Sequence, residues 1–155
     1  MRFTRLTSAI DSGLFDLPES GEIAVYRPQS GDDLSCLPQG RVTVITGFKP
    51  DHDHFTALGY RAAREASSLA AAVVCLPRAK AAAHALIAQA MADVVPGGAV
   101  LVDGQKTDGV AAVLKECQAA GMVRGEPLSK AHGKAFLLQA GTAPTGWQAA
   151  PLQIA

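Results

Sequence analysis

One stretch decides the fold: Ala70–Val102, which reads AAAVVCLPRAKAAAHALIAQAMADVVPGGAVLV. It begins with a continuous apolar run, Ala70–Leu76, which ends at a proline and is typical of a strand buried on both faces. In Lys80–Val94 the apolar side chains recur every three or four residues, which predicts an amphipathic helix. Ala99–Val102 is a second short apolar run. A strand, a helix and a strand in this order indicate a βαβ unit with parallel strands.

The same alternation extends to both sides of this unit. Upstream, Glu22–Tyr26 and Arg41–Thr46 are rich in residues that favour strands, and Phe55–Arg64 could form a helix. Downstream the pattern predicts a helix over Val110–Ala120, capped by Thr107 or Asp108, and then a strand over Lys134–Gln139. We therefore predict an α/β fold with a mostly parallel sheet flanked by helices.

Length and composition predict one folded domain followed by a linker. The chain has 155 residues, 48% of them hydrophobic and 18% charged, with a formal net charge of zero. Residues 1–140 fit a single domain, and residues 141–155, which lack periodicity, resemble a linker toward a further domain. The three cysteines are far apart and form no Cys-x-x-Cys pair, which favours a reducing, cytoplasmic setting and argues against a disulfide framework. No apolar stretch is long enough for a signal peptide or a membrane span.

The sequence lacks the usual marks of a cofactor site or a catalytic site. Nucleotide-binding folds of this class need a glycine-rich turn after the first strand, and none is present. Asp103-Gly104 could be a nucleotide-contacting turn, but a simple β-to-α turn that tolerates positive φ is the more ordinary interpretation. No serine lies in a Gly-x-Ser-x-Gly setting. We predict no catalytic and no cofactor-binding residue in this domain.

A run of four possible metal ligands, Asp51-His52-Asp53-His54, is the most conspicuous polar cluster. Side chains of consecutive residues point in different directions, and metal sites usually combine ligands from separate elements. No second cluster of histidine, cysteine or carboxylate offers partners. The run is therefore predicted to be a polar loop or a helix entry, with Asp51 or Asp53 as a cap, and no metal site is predicted.

Basic residues at the ends of the predicted elements remain as candidates for binding. Arg78 and Lys80 follow the strand Ala70–Leu76, and Lys106 follows Asp103-Gly104, so all three are expected at the carboxyl edge of the sheet. Lys130 and Lys134 precede a strand, which would place them at the opposite edge. Such side chains either contact RNA phosphates or only keep the surface soluble, and the sequence leaves both interpretations open.

Three segments resemble a known family of enzymes. Cys75–Ala83 (CLPRAKAAA), Val100–Val110 (VLVDGQKTDGV) and Ser129–Lys134 (SKAHGK) are similar, in order and spacing, to segments in the N-terminal domain of bacterial small-subunit ribosomal RNA guanine-N2 methyltransferases. Two alanines, Ala81-Ala82, stand near the place of an acidic residue in the family's pattern. The resemblance covers roughly the second half of the chain.

That resemblance implies both a fold and a role. Members of this family of class I methyltransferases contain two Rossmann-like halves, of which the rear half binds S-adenosylmethionine and carries an Asn-Pro-Pro-Phe motif. The front half has lost the cofactor site, supports its partner and helps to hold RNA. The resemblance thus implies a Rossmann-like domain with a degenerate cofactor site, paired with a C-terminal catalytic domain of the same chain and with ribosomal RNA or the small subunit.

Two functions from different classes follow as expectations. The first is an RNA-positioning scaffold domain of such a methyltransferase, with Arg78, Lys80, Lys106, Lys130 and Lys134 as candidate RNA contacts and catalysis in a separate domain. The alternative is a free-standing interaction module with a degenerate Rossmann-like fold and no enzymatic activity. The sequence does not distinguish whether this domain touches RNA or only its partner domain.

Overall fold

A computed structural model describes residues 2–29, 32–130, 132–141, 144, 146 and 147 of the chain. Seven strands form one sheet in the order β3-β2-β1-β4-β5-β7-β6. The strands are β1 Ile23–Tyr26, β2 Val42–Ile45, β3 Arg61–Ala63, β4 Leu69–Cys75, β5 Val94–Gln105, β6 Val123–Lys130 and β7 Gly133–Gln139. The helices are α1 Arg2–Asp11, α2 Lys49–Ala57, α3 Lys80–Asp93 and α4 Val110–Ala119, and one-turn 3-10 helices cover Gln39–Arg41 and Lys106–Asp108.

The sheet is parallel except for one strand. Pairings from β3 through β5 are all parallel, whereas β7 runs antiparallel to both β5 and β6. The predicted mostly parallel α/β fold is confirmed. The strands β1, β2, β4 and β7 and the helices α3 and α4 lie close to their predicted positions, because each combines a clear apolar pattern with a proline or glycine boundary.

Two apolar layers cover the two faces of the sheet. On one face α3 and α4 pack over β-strand residues such as Tyr26, Val74 and Val102. On the other face Leu6 of α1 and Phe55 of α2 pack over a second set of strand residues. Burial on both faces explains why β1, β2 and β4 are almost entirely apolar in sequence.

Several local expectations are corrected. The predicted helix Phe55–Arg64 is replaced by α2 and β3, because Gly59 adopts a φ of 95° and stops the helix after Ala57. The predicted Asp103-Gly104 turn lies inside β5, which continues to Gln105. A Cβ on Gly104 would approach Leu76 Cδ1 and Val110 Cβ to 2.9 Å, so close packing explains this glycine.

The predicted helix caps also differ from the observed ones. Helix α4 begins after Gly109, and the side chain of Asp108 instead accepts a hydrogen bond from the Gln105 N–H at 3.0 Å within the preceding 3-10 turn. Helix α2 begins at Lys49 after Phe48, with no side-chain cap, so Asp51 and Asp53 lie within the helix. Pro50 at its first turn has the preset φ that favours this start.

Most of the predicted linker lies outside the described residues. Within it, Trp147 is only 9% exposed, and its ring stacks on His84 of α3 with 4.1 Å between ring centroids. His84 in turn is hydrogen-bonded to Glu116 of α4 at 2.9 Å, which makes it a structural residue. In the described residues, no helix has both the length and the apolar character needed to cross a membrane.

Candidate functional site

The carboxyl ends of six strands and the amino end of β7 lie at one edge of the sheet. The chain leaves β1, β2, β4 and β5 at this carboxyl edge. Strand β7 is antiparallel, so its first residues lie at the same edge, with Gly133 opposite Gln105 and Lys134 opposite Gly104. The expectation that Lys130 and Lys134 lie at the opposite edge is therefore wrong, because it assumed a parallel last strand.

Three basic side chains surround a small pocket at this edge. Lys106, His132 and Lys134 line a cavity of about 260 Å³ whose apolar wall is Val110 and Ala111 of α4. The backbone is fixed there, since Lys106 N–H donates to the His132 carbonyl at 2.8 Å and His132 adopts a positive φ of 61°. Within the described parts of the chain, neither lysine forms an ion pair with a carboxylate. The pocket therefore presents positive charge to solvent.

The remaining predicted basic residues differ in their hydrogen bonds and ion pairs. Lys130 Nζ donates to Ser8 Oγ of α1 at 3.0 Å, and Arg78 is exposed three residues after the end of β4. Lys80 pairs with Glu116 at 3.5 Å, next to the His84 contact. Burial would raise the pKa of Glu116, but the hydrogen bond from His84 and the charge of Lys80 lower it below the usual range. Lys80 thus helps to join α3 to α4, while Arg78 faces solvent.

A buried arginine, which was not identified from the sequence, makes hydrogen bonds to residues at this edge. Arg5 of α1 is fully buried and donates to Asp103 Oδ1 at 2.7 Å, to Gln105 Oε1 at 3.3 Å and to the Lys130 carbonyl at 3.1 Å. Gly133 makes room for it, because a Cβ there would lie 2.5 Å from Arg5 Cζ. One guanidinium therefore connects the carboxyl ends of β5 and β6, which lie on either side of β7.

A second cleft opens where the strand order reverses, between β1 and β4. Ligands of open α/β sheets bind at such a switch point, outside the carboxyl ends of the strands. The cleft has a volume of about 310 Å³ and is lined by side chains that follow β1, β2 and β4: Arg27, Gln29, Thr46, Phe48, Asp51, Cys75, Leu76 and Pro77. A ligand bound in this cleft would therefore lie at the carboxyl ends of β1, β2 and β4.

The comparison with known structures identifies the fold. The chain superposes on the T. thermophilus 16S rRNA N2 methyltransferase, solved with AdoMet and guanosine, with a TM-score of 0.69, 20% identity and coverage of 92% of this chain but 40% of that one. It also matches TrmN from Thermus thermophilus (TM-score 0.62, 16% identity, 87% of this chain and 48% of that one). A methyltransferase from Pyrococcus furiosus superposes with a TM-score of 0.58 and 12% identity, and the match covers 89% of this chain and 81% of that one.

The fold is that of Rossmann-like methyltransferases. The chain spans less than half the length of the first two of these proteins. No protein-family model matches the sequence, and no curated protein sequence matches it.

The turn after β1 departs from what nucleotide-binding folds of this kind require. In place of a glycine-rich turn, Arg27-Pro28-Gln29 follows β1, and Arg27 adopts a φ of 59°. Its N–H donates to the Ile45 carbonyl of β2 at 2.8 Å, which keeps the turn against the sheet. The side chain of Arg27 is exposed and lines the switch-point cleft. The sequence contained this signal, since Arg27 directly follows the predicted strand.

The Asp51–His54 run lies on helix α2, where its members face different directions. Asp53 bonds to Lys49 one turn earlier at 3.1 Å, and the ring of His54 packs edge-on against that of Phe55. Only Asp51 lines the switch-point cleft. In the parts of the chain that the structure describes, no group of three or more His, Cys, Asp or Glu side chains could hold a metal.

Proposed function

We propose that this chain is an RNA-positioning and scaffold domain of a ribosomal RNA (guanine-N2) methyltransferase, acting in the cytoplasm. Transfer of the methyl group from S-adenosylmethionine to 16S rRNA would then take place in a separate C-terminal catalytic domain. The observation that carries the proposal is the collection of Arg78, Lys106, Lys130 and Lys134 at the carboxyl edge of a methyltransferase-like sheet.

Two features support a binding role over a catalytic one. Lysines that lack carboxylate partners are suited to phosphate contacts, which supply most of the affinity of proteins for nucleic acids. Arg27 occupies the turn in which the cofactor-binding relatives of this fold class need glycine. The three segments that resemble the N-terminal domain of guanine-N2 methyltransferases include Arg78, Lys80, Lys106, Lys130 and Lys134.

Binding of the chain to a labelled fragment of small-subunit rRNA, followed by fluorescence anisotropy, tests this function. We expect Lys106→Gln/Lys134→Gln to weaken binding about tenfold or more at moderate salt, because two phosphate contacts are lost. Lys115→Gln/Arg124→Gln is the matched control, since Arg124 is the second residue of β6, at the amino edge, and Lys115 lies in the second turn of α4. Equal losses in both double variants would contradict a defined RNA-binding edge.

The cofactor part of the proposal has its own test. Titration calorimetry of the chain with S-adenosylmethionine should give no binding heat, whereas micromolar affinity would contradict a degenerate site. The full-length protein that contains this domain should methylate small ribosomal subunits or their RNA when given S-adenosylmethionine. Failure of that reaction would contradict the assignment to this class of methyltransferase.

A free-standing interaction module is the second candidate. The turn at Arg27 is compatible with it, because such a module needs no glycine-rich cofactor turn, and the fold also occurs in proteins not much longer than this one, such as the P. furiosus methyltransferase, 81% of which this chain covers. Co-purification of a stable protein partner, together with no RNA binding, would favour this alternative.

A further inference from the structure

The switch-point cleft has the size and chemistry for one nucleotide. Its volume of about 310 Å³ is at the lower end of the roughly 300–1,000 Å³ typical of ligand clefts. We propose that this cleft binds a single unstacked nucleotide of single-stranded RNA. This inference rests on the proposed function, because it names the part of the RNA that the domain would hold.

Phe48 supplies a platform for the base. Its side chain is 59% exposed, the most exposed of the large hydrophobic side chains among the described residues. Its backbone is nevertheless fixed, since Phe48 N–H donates to Thr46 Oγ1 at 3.2 Å and its carbonyl accepts from His52 N–H at 3.0 Å at the start of α2. An exposed aromatic ring on a fixed backbone is the arrangement on which single-stranded bases stack.

Arg27 supplies the charge for the phosphate. Its side chain is exposed and lines the cleft, and in the described parts of the chain no carboxylate forms an ion pair with it. Residues other than glycine rarely adopt its φ of 59°, and such strain is concentrated at functional sites. A guanidinium favours an anionic phosphate and disfavours the sulfonium of S-adenosylmethionine.

Asp51 distinguishes RNA from DNA in this arrangement. It lies in the first turn of α2, three residues after Phe48, and lines the same cleft. A carboxylate at this position can accept a hydrogen bond from a ribose 2′-hydroxyl, as the acidic residue of dinucleotide-binding folds does. DNA lacks that hydroxyl, so the contact would favour RNA.

The cleft is also continuous with the basic edge, by which we mean Arg78, Lys106, Lys130 and Lys134 at the carboxyl edge of the sheet. Pro77 lines the cleft and Arg78 follows it. Beyond β4 in the sheet, Lys106 directly follows β5 and Lys134 lies on β7. At about 4.8 Å per strand, the distance from the cleft to Lys134 is about 15 Å. A short oligonucleotide can span this distance, with one base in the cleft and its phosphates along the lysines.

The test uses the full chain and three probes: a labelled six-nucleotide single-stranded RNA, the DNA of the same sequence and a perfectly paired RNA duplex. We expect Phe48→Ala and Arg27→Gly each to weaken single-stranded RNA binding at least about fivefold and to leave duplex binding unchanged. Asp51→Ala should remove the preference for RNA over DNA. Leu58→Ala is the control for Phe48, because Leu58 is 54% exposed at the other end of α2; Arg124→Gln is the control for Arg27.

Arg27→Gly separates binding from folding. Glycine adopts positive φ readily, so this variant should unfold at the same temperature as the parent or higher while it loses affinity. Equal binding of single-stranded RNA by the parent, Phe48→Ala and Arg27→Gly would overturn the nucleotide site, although duplex binding that depends on Lys106 and Lys134 would still support the proposed function. If no RNA binds, both proposals fail.

Competition decides the source of the nucleotide. A free 5′-mononucleotide or S-adenosylmethionine should displace the labelled RNA only at concentrations at least about a hundredfold above the Kd of the oligonucleotide. Displacement by either one at micromolar concentration would overturn the proposal and assign the cleft to a small molecule.

Discussion

Arg5 Nη2 and Asp103 Oδ1 lie 2.7 Å apart, although 98 residues separate them in the sequence and both side chains are almost completely buried. The pair joins α1 to the carboxyl end of β5, and further hydrogen bonds from Arg5 reach Gln105 and the backbone of Lys130. The basic edge therefore rests on a buried ion pair, so the stability of the domain and the geometry of its candidate site are linked.

Removal of one member of this pair should be strongly destabilising. Arg5→Met or Asp103→Leu leaves the other charge buried, which costs about 3 kcal/mol or more of the free energy of unfolding. Arg5→Met/Asp103→Leu should lose clearly less than the sum of the two single variants, because neither charge then remains. Urea unfolding of the four proteins measures the coupling.

An exposed ion pair offers the control for that cycle. Lys49 and Asp53 are one helical turn apart on α2 at 3.1 Å, with side chains 82% and 56% exposed. Solvent screens such a pair, so Lys49→Gln should leave the urea midpoint unchanged. Additive effects of the Arg5 and Asp103 substitutions would contradict direct coupling between them.

Close packing at Gly104 should make even a methyl group costly. Gly104→Ala brings a Cβ to 2.9 Å from atoms of Leu76 and Val110, which should lower the free energy of unfolding by about 1–3 kcal/mol. Gly40→Ala is the matched control, because no atom lies within 4 Å of a Cβ at that position. Thermal unfolding of both variants gives the comparison, and equal stability would show that the sheet relaxes around the methyl group.

The salt dependence of RNA binding should report each lysine contact separately. Each phosphate neutralised on a single strand contributes about 0.7 to the slope of log affinity against log salt concentration. Lys106→Gln and Lys134→Gln should each reduce that slope by about this amount, whereas Lys115→Gln should leave it unchanged. A lower affinity with an unchanged slope would mean that the lysine acts on the fold and not on a phosphate.

Asp93 should give the domain a measurable pH dependence. Tyr26 donates to Asp93 Oδ2 at 2.6 Å, and burial raises the pKa of Asp93 despite the lowering effect of hydrogen bonds from Tyr26 and Gln89. The native state then holds its proton more tightly than the unfolded state. Protonation of Asp93 therefore stabilises the native state, and its contribution to the free energy of unfolding falls as the pH rises from the usual carboxyl pKa through the raised one.

Asp93→Asn removes this titration. The free energy of unfolding of the variant minus that of the parent should therefore be larger at about pH 7 than at about pH 4. This expectation does not depend on which of the two proteins is more stable at about pH 4. Urea midpoints at the two pH values measure the change. Asp16→Asn, which removes an exposed carboxylate, is the control for the loss of one negative charge. A shift in the opposite direction for Asp93→Asn would contradict the raised pKa.

The sequence predicted the buried, parallel part of the sheet better than its borders. Strand β4 and helix α3 have strong periodic signals, whereas β6 is mostly exposed and contains Gly125 and Pro127, so no alternation marks it. Helix α1 places a charged residue, Arg5, at a core position, which breaks its apolar pattern. These elements depend on tertiary partners that local sequence does not specify.

The lysines of the candidate site were predictable from the sequence, but their arrangement was not. Lys106, Lys130 and Lys134 could be named from their places beside predicted strand ends, yet the direction of β7 has no local signature. Reversal of that one strand unites two basic regions that the sequence placed apart. The role of Phe48 also needed the structure, because an exposed ring on a fixed backbone cannot be recognised from the residue type alone.

The hairpin of β6 and β7 is attached to the rest of the sheet only through the pairing of β7 with β5. Its turn after Lys130 contributes charge to the carboxyl edge, while the parallel strands form the interior. Charge changes at the exposed side chains of this hairpin would therefore alter what the edge recognises, whereas an insertion or deletion beside Lys130 or Gly133 would also disturb the buried contacts of Arg5. We expect related chains to diverge in target first through these exposed side chains, while the residues in contact with Arg5 stay constant.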